Sequence, residues 1–170
     1  NLAALSETQP WAIPPLCRRT PPDEVGTRHY TVRRSDGYLV ALALHNADGH
    51  DVPIVRWGER DGYRAILSDP SHREQAEGHA TIVQLGLGSG ELAMALAERL
   101  RASQHLIIWE ADPALAKAIL EVVDLSPLWL STQVSLLFGS HPYLSQDQQQ
   151  RLKQPSLLYI TSSARCWNIW

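Results

Sequence analysis

The feature that most constrains the fold of this chain is a glycine-rich turn, GLGSG at residues 86–90, set between two apolar segments. Residues 80–85 are a short apolar run, as expected for a buried parallel strand. Over residues 91–101 leucines recur every four positions, which places them on one face of a helix. Strand, glycine turn and helix in this order predict the first unit of a Rossmann-like α/β fold.

The same alternation continues toward the C-terminus. Three further apolar runs predict strands at 106–110, 134–138 and 157–160. Asp112 followed by Pro113 is typical of a helix N-cap and its first residue, and a polar helix is expected at 146–153. Strands that alternate with helices imply a parallel sheet, so we predict a Rossmann-like domain over residues 69–170.

The N-terminal part has a different pattern. Residues 1–27 contain five prolines, which disfavour regular structure and predict an irregular arm with at most one short helical turn. Residues 28–68 predict a small antiparallel β meander of four strands, because Asp36-Gly37 is a strong hairpin signal and residues 63–67 look like its last strand. A short helix is expected over residues 68–76, where Ser-Asp-Pro is typical of a helix start.

The glycine turn also predicts a ligand site. Glycine tolerates positive φ and lets a backbone approach a ligand, and an acidic residue after the second strand can bind ribose hydroxyls. Glu110 lies 24 residues after Gly86, near the expected separation. The expected cofactor-binding residues are Gly86, Leu87, Gly88, Ser89, Gly90, Glu110 and Ser140.

The spacing of the glycines restricts the class of ligand that the turn is expected to bind. It is GxGxG, and the sixth position of the dinucleotide pattern GxGxxG falls on Glu91, which disfavours NAD and FAD. S-adenosylmethionine (SAM) or a nucleotide is therefore the expected cofactor. The alternative is structural: the turn only links a strand to a helix in a domain that binds nothing, and Glu110 and Asp112 only cap a helix.

Three segments resemble a known family, namely residues 83–90, 109–115 and 123–128 (VQLGLGSG, WEADPAL and VDLSPL). They are similar to the Rossmann-like domain that precedes the transferase region in Maf-type and CgeB-type bacterial glycosyltransferases. The resemblance covers about residues 28–163. It implies that a sugar-transferring C-terminal domain of the same polypeptide follows Trp170 and is the main partner of this region.

The same region is also similar to class I SAM-dependent methyltransferases, with informative departures. Those enzymes commonly have an acidic residue where this chain has Gln84, and often an Asp near the position of Ser140 that meets the adenine amine. Thr161 and the two serines after it replace an acidic or Asn-Pro-Pro segment. Four predicted strands are fewer than the seven of a full sheet. These departures argue against methyl transfer by this chain alone.

Composition excludes several classes of function. The formal net charge is −3 without a long basic run, so neither nucleic acid nor an anionic membrane is an expected partner. Seven scattered histidines form neither HxH nor HExxH, so no metal site is expected. Cys17 and Cys166 lie at opposite ends of the chain and are expected to be unpaired thiols of a cytoplasmic protein.

Three functional hypotheses remain open at this point. The first is a Rossmann-like N-terminal domain of a glycosyltransferase-like protein, which binds a nucleotide or SAM-like ligand without catalysing on its own. The second is a divergent or truncated SAM-dependent methyltransferase. The third is a non-catalytic interaction module, which a turn filled by Leu87 or Ser89 would favour. The sequence leaves open whether this chain by itself is an enzyme.

Overall fold

The computed structural model describes residues 2–17, 29–36, 38–45, 50–58, 60–70, 74, 78–153 and 157–161. The strands are β1 (His29–Ser35), β2 (Tyr38–His45), β3 (Asp51–Arg56), β4 (Thr81–Leu85), β5 (His105–Glu110), β6 (Val134–Phe138) and β7 (Leu157–Thr161). The helices are α1 (Leu2–Thr8), a 3-10 turn (Pro10–Ala12), α2 (Ile13–Cys17), α3 (Arg60–Ser68), α4 (Glu91–Ala97), α5 (Pro113–Val122), α6 (Ser126–Leu130) and α7 (Gln146–Leu152).

Two sheets confirm the α/β fold class, a Rossmann-like parallel sheet with an N-terminal antiparallel meander. The meander has the order β1-β2-β3, and both of its strand pairs are antiparallel. The second sheet has the order β6-β5-β4-β7, and all of its pairs are parallel. The chain steps outward from β4 to β6 and then returns to the other side of β4. The topological switch point therefore lies between β4 and β7, at the position where such sheets bind ligands.

The two faces of the parallel sheet are covered by different elements. Leu106 and Ile108 of β5 belong to the main core cluster. Ile107, between them, packs in a second cluster with Leu144 and Leu152 from the region of α7. This division follows from the period of two along a strand. The apolar runs of the parallel strands are nearly continuous because both faces are covered.

The main core cluster also joins the predicted parts of the chain. It contains Leu5 and Leu16 from the N-terminal helices, Leu42 and Val55 from the meander, and Ile82 from the parallel sheet. The predicted boundaries at residues 28 and 69 stay predictions. No helix among the described residues combines the length and apolar character that crossing a membrane requires.

The predicted irregular arm was wrong for residues 2–17, which form α1, the 3-10 turn and α2. Two of the prolines, Pro14 and Pro15, lie in the first turn of α2. Proline is compatible with that position because the first backbone N–H groups of a helix have no partner within it. The rest of the predicted arm, residues 18–27, lies outside the described residues.

The predicted fourth meander strand was also wrong, because residues 63–67 lie within α3. Tyr63 and Leu67, four residues apart, pack against the core, whereas Ile66 is 54% exposed. Arg99, just beyond α4, donates to the Leu67 carbonyl oxygen at 2.6 Å and so satisfies the end of the helix. The predicted helix over 68–76 falls mostly on residues outside the described ones.

Gln9 closes the outer edge of the parallel sheet. Its Nε2 donates to the carbonyl oxygen of Val134 at 2.9 Å, and its Oε1 accepts from the backbone N–H of Leu136 at 2.8 Å. The side chain is 3% exposed. One amide side chain thus takes the place of a neighbouring strand along β6, and an edge that would otherwise expose unpaired groups is covered.

Gln9→Leu should therefore lower the free energy of unfolding by about 2–4 kcal/mol, since it leaves a buried carbonyl and a buried N–H without partners. The measurement is urea denaturation followed by circular dichroism. Gln149→Leu is the matched control, because the Gln149 amide, which donates to the Leu144 carbonyl oxygen at 3.0 Å, is exposed to solvent. Its loss should stay below about 1 kcal/mol. Similar losses in both variants would contradict this role for Gln9.

His105 links stability to pH. Its Nε2 lies 2.8 Å from the Ser135 Oγ, and the residue is 6% exposed. Burial, helped by the charge of Arg151, lowers the pKa of His105 from 6.5 to about 4. Because the unfolded chain binds this proton more readily, the contribution of His105 to stability is complete above about pH 6.5 and is lost as the pH falls toward 4.

Over that interval the free energy of unfolding should fall by up to about 3 kcal/mol on account of His105. Urea denaturation at a series of pH values between 4 and 7 measures the slope. In His105→Gln, which cannot gain a proton in this range, the slope should be smaller. An unchanged slope in that variant would show that other groups control the acid sensitivity.

Candidate functional site

The glycine turn has the left-handed backbone that its composition suggests. Gly86, Gly88 and Gly90 have φ values of +83°, +57° and +81°. Gly90 is the N-cap of α4, and its N–H donates to the Leu87 carbonyl oxygen at 3.0 Å. Residues other than glycine rarely adopt such φ values, which explains why every second residue of the turn is a glycine.

Glu110 binds the turn through its carboxylate. Its Oε2 accepts from the backbone N–H of Leu87 at 2.9 Å, and its Oε1 accepts from that of Asp112 at 2.9 Å. The side chain is 6% exposed. Burial raises the pKa of Glu110, and the hydrogen bonds from the Asp112 and Leu87 backbones oppose that shift. Glu110 thus connects the end of β5 to the turn after β4.

Gln84 lies beneath the turn, and one of the two polar atoms of its side chain makes no hydrogen bond with the described residues. Its Nε2 donates to the Gly86 carbonyl oxygen at 2.8 Å and lies 3.5 Å from the Leu87 carbonyl oxygen. Two carbonyl oxygens on this side fix which end of the amide is the nitrogen. The residue is fully buried, and its Oε1 has no hydrogen-bond partner among the described residues.

The segment that follows β3 contacts the glycine turn. The Trp57 Nε1 donates to the Ser89 carbonyl oxygen at 3.1 Å, and the Gly58 N–H donates to the Glu91 Oε1 at 3.0 Å. The other oxygen of that carboxylate accepts from the Ser89 hydroxyl at 3.2 Å. Sequence reasoning missed Trp57 and Gly58, which are about thirty residues from the turn along the chain and carry no local signal of contact with it.

A second meander contact lies at the start of α5. The Tyr30 hydroxyl donates to the Asp112 Oδ2 at 2.6 Å. The other carboxylate oxygen of Asp112 accepts from the backbone N–H groups of Ala114 at 2.9 Å and Leu115 at 3.3 Å. Asp112 is therefore the N-cap of α5, as predicted, and it also anchors β1.

Ser140 is placed differently from the other predicted site residues. The residue before it, Gly139, donates its N–H to the Glu110 carbonyl oxygen at 2.9 Å. Ser140 itself is exposed, and its Oγ lies 3.0 Å from the Nδ1 of His141. The fold therefore brings together the glycine turn, Glu110 and the backbone of the loop after β6, while the described hydrogen bond of the Ser140 side chain is to His141. Its ligand contact stays a prediction.

Three carboxylates, those of Glu91, Glu110 and Asp112, hydrogen-bond at this edge of the sheet. A phosphate group in the turn would face like charge, whereas a neutral or positively charged group would not. The described residues hold no group of three or more His, Cys, Asp or Glu side chains arranged to bind a metal ion. The arrangement is thus compatible with hydroxyl, amine or sulfonium groups of a ligand.

No protein-family model matches this chain, and no curated protein matches it. One solved structure that is similar is described as the crystal structure of EvdMO1, with 22% sequence identity and a TM-score of 0.29. The similar region covers 55% of this chain and 21% of that chain. A likeness of this size identifies neither a family nor an activity, so the resemblance to bacterial glycosyltransferases stays a prediction.

Gly90→Ala should destabilise the turn more than any ordinary surface change. A Cβ there would lie 2.6 and 2.7 Å from the two Cδ atoms of Leu125, which is 1% exposed. Steric overlap together with the positive φ should lower the free energy of unfolding by about 2–4 kcal/mol.

Gly62→Ala is the matched control for this substitution. Gly62 is helical, and a Cβ there meets no atom within 4 Å. Its effect should be neutral or stabilising by up to about 1 kcal/mol. Thermal and urea unfolding of both variants would measure the difference, and equal stability of the two would contradict the assigned role of Gly90.

Proposed function

We propose that this chain is an auxiliary Rossmann-like module of a larger, glycosyltransferase-like bacterial protein, and that it binds an adenosyl ligand of the SAM type without catalysing on its own. The observation that carries the proposal is the buried, unpartnered Oε1 of Gln84 beneath the glycine turn. It lies at the end of β4, beside the topological switch point of the sheet.

An unpartnered buried acceptor destabilises a fold by about 1–3 kcal/mol unless some donor satisfies it. An N–H or O–H group of a ligand is such a donor. The amide nitrogen of Gln84 is already held by Gly86, so the oxygen is presented in a fixed orientation. A preorganised acceptor of this kind favours ligands that carry an amine or hydroxyl group.

The surrounding charges favour an adenosyl compound over a nucleoside diphosphate. Glu91, Glu110 and Asp112 would repel a phosphate in the turn, and they would attract the sulfonium and ammonium groups of SAM. An ionised carboxylate offers about four acceptor positions. The Glu110 carboxylate uses two of them for Leu87 and Asp112 and also interacts with the Ala111 backbone, so about one acceptor position remains for a ribose hydroxyl.

The absence of catalysis is proposed from the departures from the methyltransferase pattern. Gln84 supplies no negative charge where those enzymes have an acidic residue. Ser140 is exposed and lies beside His141. By the sequence resemblance, the group-transfer chemistry would belong to the region after Trp170, and this module would sense or store a ligand for it.

One observation favours a second candidate, an interaction module in which the turn only joins two parts of the fold. Leu87 is 1% and Ser89 is 7% exposed, and the polar groups of the turn bond to Glu110, Trp57 and Glu91. A turn whose groups are already satisfied within the protein has less to offer a ligand. The two candidates differ in whether the turn ever opens.

Calorimetric titration of the purified chain with SAM, S-adenosylhomocysteine and a panel of nucleotide sugars separates the candidates. Micromolar binding of the adenosyl compounds is expected. It should be lost in Gly88→Val, because Gly88 has φ of +57°, and kept in the control Gly62→Val, which changes an exposed helical glycine.

Each other result has a definite meaning. Preferential binding of a nucleotide sugar would replace the adenosyl ligand by a glycosyl donor. If no compound of the panel binds, and circular dichroism shows that the sample is folded, ligand binding is refuted and the interaction module is left. Binding that persists in a folded Gly88→Val sample would place the ligand elsewhere on the protein.

A further inference from the structure

We propose that Trp57 and Gly58 form a latch that competes with the ligand for the glycine turn, so that ligand binding releases this segment from the turn. The inference rests on the ligand binding proposed above and adds its regulation. The latch is defined by two hydrogen bonds, from the Trp57 Nε1 to the Ser89 carbonyl oxygen and from the Gly58 N–H to the Glu91 Oε1.

The latch engages groups at the helix-forming end of the turn. Ser89 is the fourth residue of the turn, and Glu91 is the first residue of α4. The Glu91 carboxylate also accepts from the Ser89 hydroxyl at 3.2 Å, so the latch contacts a small network rather than isolated atoms. A ligand that approaches the turn from the carboxyl edge of the sheet would meet the same carbonyl oxygen and the same carboxylate.

Release of the latch would move the Trp57 ring away from the main core cluster, against which it packs, while the meander stays in place. The latch follows β3 directly, and the meander itself is held to the core by Leu42 and Val55, which are 0% and 7% exposed. Gly58 is exposed, has φ of +96°, and would have no atom within 4 Å of a Cβ. A glycine in open space can change its backbone angles without a steric clash, so Gly58 can absorb a displacement of Trp57 before the chain enters α3.

A separate anchor holds β1 while the latch moves. The Tyr30 hydroxyl donates to the Asp112 Oδ2 at 2.6 Å, whereas the latch contacts Ser89 and Glu91. This contact uses a carboxylate that already caps α5, and its release is not required for access to Ser89. The latch is therefore a local contact made by the two residues that follow β3.

The main test is Trp57→Phe, which keeps an aromatic ring and removes the indole N–H. Loss of one competing hydrogen bond should tighten S-adenosylhomocysteine binding about five- to tenfold in calorimetric titration. Trp11→Phe is the matched control, because the buried Nε1 of Trp11 has no partner among the described residues. Its affinity should equal that of the unsubstituted chain.

Hydrogen exchange gives an independent readout. Adding S-adenosylhomocysteine to the unsubstituted chain should speed exchange of the Gly58 amide, because its bond to Glu91 breaks, while amides of the turn exchange more slowly. A purely structural role for Trp57 would not produce this opposite pair of changes. If Trp57→Phe fails to fold, exchange of the Gly58 amide in the unsubstituted chain decides the question, and an exchange rate that S-adenosylhomocysteine binding leaves unchanged would refute the latch.

The outcomes separate the latch from the proposed function. If the unsubstituted chain binds and Trp57→Phe binds equally or more weakly, the latch is refuted and ligand binding stands. If only Trp57→Phe binds, the latch is supported and holds the free protein closed. If neither protein binds the ligand, both the proposed ligand binding and the latch are refuted, because the latch would have no ligand to exclude.

Discussion

The Glu110 carboxylate extends the pairing of β4 with β5 into the segments that follow these two strands. One oxygen accepts from Leu87 in the glycine turn, and the other accepts from Asp112 at the start of α5. Its burial makes each of these charged hydrogen bonds strong, and it makes loss of either partner expensive. The turn after β4, the end of β5 and the cap of α5 are therefore positioned as a unit, on which the meander then rests through Asp112 and Ser89.

This arrangement explains how one turn supports both a binding and a structural interpretation. Glycines with positive φ and the buried Gln84 oxygen resemble a prepared site. The hydrogen bonds from Trp57 and Gly58 instead resemble a purely structural contact between two parts of the fold. The two descriptions are compatible if they correspond to two states of one segment, since a ligand shifts such an equilibrium only by its preference for the open state.

Local sequence signals predicted the parallel sheet well and the N-terminal half less well. The strand at 134–138 has the predicted bounds, and Asp112 caps α5 as its Asp-Pro sequence indicated. Residues 63–67 formed a helix because Tyr63 and Leu67 meet the core and Arg99 satisfies the helix end, none of which a short apolar run reveals. Gln9 gave no signal at all, since its partners lie more than a hundred residues away.

The sequence by itself determined the strand-turn-helix order, the need for glycine in the turn and the presence of Glu110 at the end of the second parallel strand. These features depend on backbone conformation and on periodicity, which neighbouring residues control. Only the tertiary structure decided that Glu110 binds the turn, that Ser140 is exposed and that Trp57 reaches Ser89. Such contacts depend on how the meander packs on the sheet, and packing follows from the combined burial of side chains that are distant in sequence.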